Sequence, residues 1–333
     1  MRVVVVGATG HIGSYLVPRL VSAGHHVITI SRGERSPYFP HPAWDKVEWH
    51  RADRRAEEHQ GTFGQRISAL SADAVIDLIC FSLDSATQLA EALMGSSTYL
   101  LHCGTIWVHG PAVSVPITED APRRPLEPYG IAKAEVERYL HDVTRSARLK
   151  ATILHPGHIV GPGWHPVNPA GNLSLDVFSR LAQGMEVVLP NFGLETLHHV
   201  HAYDVASAFL AALERPGLAL GESFHVVSEA ALTMRGYAEA VASWFGQPAR
   251  LSYLPFSAWR DTVTADEARM SYDHVAHSPS VSIGKARRLL SYAPRYSSLE
   301  AVHEALAALI AAGALVTGGR RLAPFATSYS PFA

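Results

Sequence analysis

Close to its start the chain reads Val3-Val4-Val5-Val6-Gly7-Ala8-Thr9-Gly10-His11-Ile12-Gly13, and the architecture follows from these residues. Four consecutive β-branched residues predict a strand buried on both faces. A glycine-rich turn follows at once, and Ile12, Tyr15, Leu16 and Leu20 then fall at helical spacing. Strand, tight turn and helix make the start of a βαβ unit. Gly7 permits the sharp turn, Gly10 leaves room for a pyrophosphate against the backbone, and Gly13 lets the helix pack closely on the strand. The helix N-terminus offers free N–H groups and the positive end of its dipole to phosphates. In this setting Gly7, Thr9, Gly10, His11, Ile12 and Gly13 are the predicted cofactor turn.

The same alternation continues outward. Strands are predicted at 27–30, 46–50, 74–79, 98–103 and 151–154, with helices at 61–70, 85–94 and 129–145 between them. Strands alternating with helices imply a parallel sheet covered on both faces, and right-handed crossovers make it an α/β, doubly wound, Rossmann-type fold. After His155 the pattern breaks at Pro156-Gly157, Gly161-Pro162-Gly163 and the 166–171 stretch. Further helices are predicted at 173–183, 203–213, 233–245, 282–290 and 299–312, with Thr233 as an N-cap, and short strands at 187–189, 196–201 and 223–227. Residues 1–165 are assigned to the dinucleotide-binding domain, its sheet completed by about 195–228. A smaller, interleaved C-terminal substrate lobe takes 166–194 and 229–317, and 318–333 form a loose tail.

With 333 residues, 47% of them apolar, the chain can bury a large core, and a net charge of −2 gives no footing for nucleic acid or an anionic membrane surface. Cys80 and Cys103 sit in apolar, strand-like surroundings and read as buried thiols of a reducing compartment. No apolar run is long enough to span a membrane, and the N-terminus lacks a signal-like pattern. The expectation is a soluble cytoplasmic protein acting on a small molecule, with no membrane or nucleic-acid partner.

Tyr129-Gly130-Ile131-Ala132-Lys133 opens the long helix after the fifth strand. A tyrosine and a lysine four apart share one helical face. A free phenol, with a pKa of about 10, is a poor base at neutral pH. A neighbouring ammonium would favour the phenolate, a pairing suited to proton transfer at a hydroxyl or carbonyl.

Several ordered motifs together resemble the extended short-chain dehydrogenase/reductases, also called the epimerase/dehydratase family. The resemblance spans nearly the whole chain: the 7–13 turn, Asp53 after the third strand, Thr105-Ile106-Trp107-Val108-His109-Gly110, the Tyr129/Lys133 pair, 155–163, 200–206 and 282–294. It implies hydride transfer at a substrate carbon, with Tyr129 as general acid/base and Lys133 holding the nicotinamide ribose. Thr105 would orient the substrate oxygen. Asp53 would touch adenine; Leu78, Ile79, Pro156 and His158 complete the cofactor set implied. It also implies a homodimer, the family often pairing through the helix that carries the tyrosine.

The departures narrow the substrate. Ile106 and Trp107 stand where sugar-nucleotide dehydratases carry two acids. The 195–199 segment, Glu-Thr-Leu-His-His, lacks the arginine that clamps a pyrophosphate, as does Tyr272-Asp273-His274, though Arg269 is close by. A sugar-like or other small polar ketone or alcohol fits better than a nucleotide sugar. After the second strand, Ser31-Arg32, with Arg35 near, replaces the acid that would bond a ribose 2′-hydroxyl, so NADP is favoured over NAD. Trp107, His109, Trp164 and His198 are candidates for the substrate wall. His199 and His201 share a strand face and His198 does not; His155, His158 and His165 could approach them, but several of these positions hold other residue types in the family resembled, so a polar pocket wall is expected and no metal is predicted. Two rivals stay open: an epimerase that keeps its NAD bound, and a non-catalytic relative that senses nucleotide or binds RNA.

Overall fold

The computed structural model describes residues 1–325, which divide into two compact units. The first comprises 1–157, 202–227 and 281–295; the second comprises 158–201, 228–280 and 296–325.

The first unit is built on a seven-stranded sheet that runs, edge to edge, through strands starting at residues 223, 150, 99, 74, 2, 26 and 48. Its strands are β1 (Arg2–Val6), β2 (His26–Ser31), β3 (Glu48–Arg51), β4 (Ala74–Asp77), β5 (Tyr99–Cys103), β6 (Lys150–Pro156) and β11 (Ser223–Val226). Every pairing is parallel, with Val5 facing both Thr29 and Ile76 across β1. Val3 to Val6 are fully buried, as a strand covered on both faces requires. One face is covered by α3 (Phe63–Ala69), α4 (Leu83–Leu93) and α5 (Pro128–Arg145), whose Phe63, Ile67, Leu89, Val136 and Leu140 pack on Val4, Val75, Leu100 and Ile153. Each such side chain contributes roughly 1.5–3 kcal/mol on burial. Helices α1 (His11–Ser22), α7 (Ala202–Glu214), α8 (Pro216–Ala219) and α12 (Gly284–Leu290) complete the unit, with α1 packed on α7. The strand order reverses at β1, so the loops after β1 and β4 open a crevice at their C-terminal ends.

The predicted helix at 61–70 is α3; a short α2 (Arg54–His59), which the sequence did not announce, precedes it and is closed by Gly61 at φ +68°. Asp53 accepts from the Ala56 N–H and so caps α2.

The second unit holds three two-stranded sheets. β7 (His158–Val160) pairs with β10 (His199–His201), β8 (Val187–Pro190) with β13 (Leu251–Leu254), and β9 (Thr196–Leu197) with β12 (Leu232–Thr233). The reading that 196–201 rejoins the central sheet is therefore corrected: of the later strands, Ser223–Val226 does so and 196–201 does not. The segment changes partner at His198, whose carbonyl accepts the His158 N–H, and splits into two strands there. Helices α6 (Leu175–Gln183), α9 (Met234–Trp244), α10 (Phe256–Trp259), α11 (Ala265–His277) and α13 (Ser298–Ala311) surround a core that includes Phe178, Tyr237 and Trp259. Thr233 caps α9 through the Gly236 N–H as predicted. Helix α11, absent from the sequence reading, starts with a Thr264/Glu267 capping box. Residues 318–325 form neither helix nor strand, and the remainder of the assigned tail lies outside the described residues.

Candidate active site

All three catalytic candidates belong to the first unit. Thr105 follows β5 and is buried; its Oγ1 accepts from the Trp107 N–H at 3.3 Å, capping a single helical turn. Tyr129 is the second residue of α5, where Pro128 starts the helix and Glu127 accepts the Gly130 N–H. The Gly130 backbone lies so close to the Trp107 carbonyl that a Cβ would sit 2.9 Å from it. This approach sets Tyr129 beside Thr105, whose side chain favours the ionised phenol.

Lys133, one turn on, is 1% exposed, and its Nζ donates to the Cys80 carbonyl at 2.7 Å and the Cys103 carbonyl at 2.6 Å. The ammonium is thus fixed at the ends of β4 and β5, 5.8 Å from the Tyr129 ring centroid and 5.0 Å from that of Phe81. It does not bring the phenol down. Although 43% of Tyr129 is exposed, atoms crowd its hydroxyl, and this burial pushes the phenol well above its ordinary value. The nearby Thr105 side chain offsets only part of that rise. Near neutrality the Tyr129 hydroxyl therefore carries its proton.

The glycine turn has the predicted shape. Gly7 adopts φ +85°. A Cβ on Gly13 would lie 2.1 Å from the Ala8 carbonyl oxygen, whereas one on Gly10 would meet only the Gly7 oxygen, at 3.2 Å. Gly10 is exposed and caps α1, whose first-turn N–H groups at His11, Ile12 and Gly13 have no acceptor within the helix. Thr9 is half-buried beside them. Ile79, 37% exposed, reaches over the turn: its Cγ2 is 2.7 Å from where a Gly7 Cβ would be, while Leu78 is buried. Ser31 ends β2, and Arg32 just beyond pairs with Glu34 at 3.2 Å, both side chains 56% exposed. Pro156 closes β6 and is buried.

The wall candidates separate. His109 turns into the first unit, buried, with its Nε2 2.7 Å from that of His225. Burial lowers its pKa to about 3. Trp107 stays half-buried. His158, His198 and Trp164 belong to the second unit, where His158 packs against His199 and His274 and His198 meets the Ser228 carbonyl.

Among the described residues one group has metal-ligand character: Asp77, Cys80 and His102 place ligand atoms within 4.8 Å of one another. Its chemistry does not suit a cation. Arg54 already holds the Asp77 carboxylate at 2.6 Å, Lys133 lies close by, and burial pushes the Cys80 thiol up to about 12.

Two groups escaped the sequence reading. Arg54, buried, bridges Asp77 and Glu58 beneath the loop after β4. Glu137 is buried below Lys133 and gathers Arg123, His155 and Ser223. Burial alone would raise its carboxyl, but His155 and Arg123 outweigh it and hold it well below the usual carboxylate range. The signal was present: Tyr129, Lys133 and Glu137 are spaced by four on one helix face.

A parallel sheet with a glycine turn at its switch point, and a tyrosine–lysine pair beside it, define a Rossmann-type dinucleotide-dependent enzyme. The chain belongs to the NAD dependent epimerase/dehydratase family, whose model matches residues 3–226. It is similar to the 2'-dehydrokanamycin reductase of Streptomyces kanamyceticus, at 30% identity over 74% of this chain and 68% of the relative. It is 27% identical to a UDP-glucose 4-epimerase of Mycolicibacterium smegmatis, over 77% of this chain and 86% of the relative. The fold matches the UDP-glucose 4-epimerase of Thermus thermophilus, solved with NAD, at a TM-score of 0.70 and 21% identity, covering 94% of this chain and 100% of that one. Among the described residues no helix is long and apolar enough to cross a membrane.

Proposed function

We propose that the protein is an NADP(H)-dependent reductase of a ketone in a sugar-like substrate, with Tyr129 as the proton donor. One observation carries this reading: Lys133 Nζ, anchored by the Cys80 and Cys103 carbonyls, stands 5.8 Å from the ring of Tyr129, whose crowded hydroxyl keeps its proton beside Thr105. When bound, the reduced nicotinamide supplies a hydride to the carbonyl carbon. Tyr129 gives its proton to the carbonyl oxygen, and the product is a secondary alcohol. Thr105 orients that oxygen, and Lys133, anchored by two of its three N–H groups, keeps one for a ribose hydroxyl. The glycine turn takes the pyrophosphate at the start of α1. Arg32, joined by Arg35, meets the 2′-phosphate that distinguishes NADP. The lack of an arginine in 195–199 favours a substrate without a diphosphate, which suits the likeness to an aminoglycoside reductase better than that to the UDP-glucose epimerases.

The test is turnover with 2'-dehydrokanamycin and with UDP-galactose, each with NADPH and NADH, for the wild type and Tyr129→Phe. Consumption of NADPH with the ketone, lost by at least about 100-fold in the variant, supports the reading. Interconversion of UDP-galactose and UDP-glucose on co-purified NAD, with no net change in nicotinamide absorbance, replaces it with the epimerase. Tight RNA binding without turnover on any ketone or alcohol replaces it with the non-catalytic relative.

A further inference from the structure

We propose that His155 is a positioning residue, held in one tautomer by an Arg123–Glu137 pair so that its ring fixes the Thr105 backbone and, with it, the hydroxyl that stands beside Tyr129. The proposal rests on the catalytic reading of Thr105 and Tyr129 above.

The Thr105 backbone N–H donates to His155 Nδ1 at 2.9 Å. An amide does not give up its hydrogen, so Nδ1 bears none and the ring proton sits on Nε2. That nitrogen donates to Glu137 Oε1, also at 2.9 Å. The carboxylate is charge-locked: Arg123 forks onto it with Nε–Oε2 at 2.9 Å and Nη2–Oε1 at 2.6 Å, and the Ser223 hydroxyl donates at 2.6 Å. Arg123 is itself tied down by the Glu119 and Ala121 carbonyls. His155 is fully buried, so water does not compete for either nitrogen.

The fit of the ring against Thr105 depends on a missing side chain. A Cβ on Gly104 would lie 2.4 Å from His155 Nδ1 and 2.7 Å from its Cε1. Glycine at 104 lets the imidazole come within hydrogen-bond reach of the next residue's amide. The arrangement excludes a proton relay, because the chain of donors ends on a peptide N–H. What it delivers is geometry: the Thr105 peptide plane is fixed at its nitrogen, and its side-chain oxygen is left facing Trp107 N–H and Tyr129.

The experiment compares His155→Asn and His155→Gln in the full chain. An asparagine oxygen reaches the place of Nδ1 and can still take the Thr105 N–H; a glutamine reaches the place of Nε2 and cannot. The first readout is hydrogen exchange of the Thr105 amide by NMR, which needs no substrate. Protection is expected to survive in the Asn variant and to fall at least about 10-fold in the Gln variant. The second is turnover of 2'-dehydrokanamycin with NADPH. The Gln variant is expected to lose roughly 10- to 100-fold in kcat with KM little changed, and the Asn variant to recover most of it. Equal exchange in both variants, or a loss confined to KM, overturns the proposal. Should either variant not fold, ring-nitrogen NMR of the wild type decides, since a protonated Nδ1 on His155 overturns it and a bare Nδ1 supports it. Absence of turnover in the wild type counts against the reductase reading alone, and Thr105 exchange then decides this one.

Discussion

Lys133 Nζ lies 5.8 Å from the Tyr129 ring and is held there by the main-chain carbonyls of Cys80 and Cys103. The ammonium is thus as much a bolt between two strand ends as a partner of the tyrosine. Lys133→Met is expected to orphan both carbonyls, at about 1–3 kcal/mol for each, and also to weaken nucleotide binding. Denaturant unfolding should show the loss without any ligand present. A variant as stable as the wild type would mean that the two bonds contribute nothing to the fold.

The glycines at 10 and 13 make opposite predictions. Gly13→Ala places a methyl 2.1 Å from the Ala8 oxygen and should destabilise the fold by about 1–3 kcal/mol or more. Gly10→Ala meets the Gly7 oxygen at 3.2 Å, a far milder contact, and should lower the melting temperature much less than Gly13→Ala while abolishing nucleotide binding. Fluorescence titration with NADPH beside thermal melts separates the two effects.

Acid should destabilise the protein before its carboxylates titrate. Burial lowers His198 from 6.5 to about 4 and His199 to about 3, and takes His102, His158 and His225 well below 6.5. These side chains stay neutral when folded and accept protons once unfolded. The sign follows from linkage: stability is full above pH 6.5 and falls as pH drops toward 4, where the native rings begin to protonate. Urea midpoints measured at pH 7.5, 6 and 5 should decrease in that order, and a flat series would show that the rings titrate alike in both states.

Cofactor preference should move with Arg32, an exposed arginine that pairs with Glu34 at the end of β2. Arg32→Asp is expected to raise KM for NADPH by about 10-fold or more and to leave NADH unaffected or improved. If both cofactors respond equally, the 2′-phosphate is recognised elsewhere.

Much of the fold was legible because its signals are local. Val3 to Val6 read as a doubly covered strand and are one, and Gly7 and Gly13 stand where a positive φ and a close backbone contact demand glycine. The Tyr129/Lys133 pair was legible from spacing. What the sequence hid is long-range. Nothing near Lys133 in sequence announces that its charge meets two carbonyls, or that crowding rather than the ammonium decides the state of Tyr129. His109 reads as a wall residue but finds His225, more than a hundred positions away, and turns inward. The 196–201 segment reads as one strand because alternation cannot say which neighbour each half will pair with.

The order of the central sheet bears on how the chain is made. β6 ends at Pro156, but its outer neighbour β11 begins at Ser223, so a ribosome must extend the chain by more than sixty residues before that border is closed. Until then β6 presents open backbone groups beside a nearly finished sheet, an invitation to pair with another nascent chain. Synthesis stalled inside this interval would leave an adhesive intermediate, and truncations ending between Val160 and Glu222 should collect in inclusion bodies.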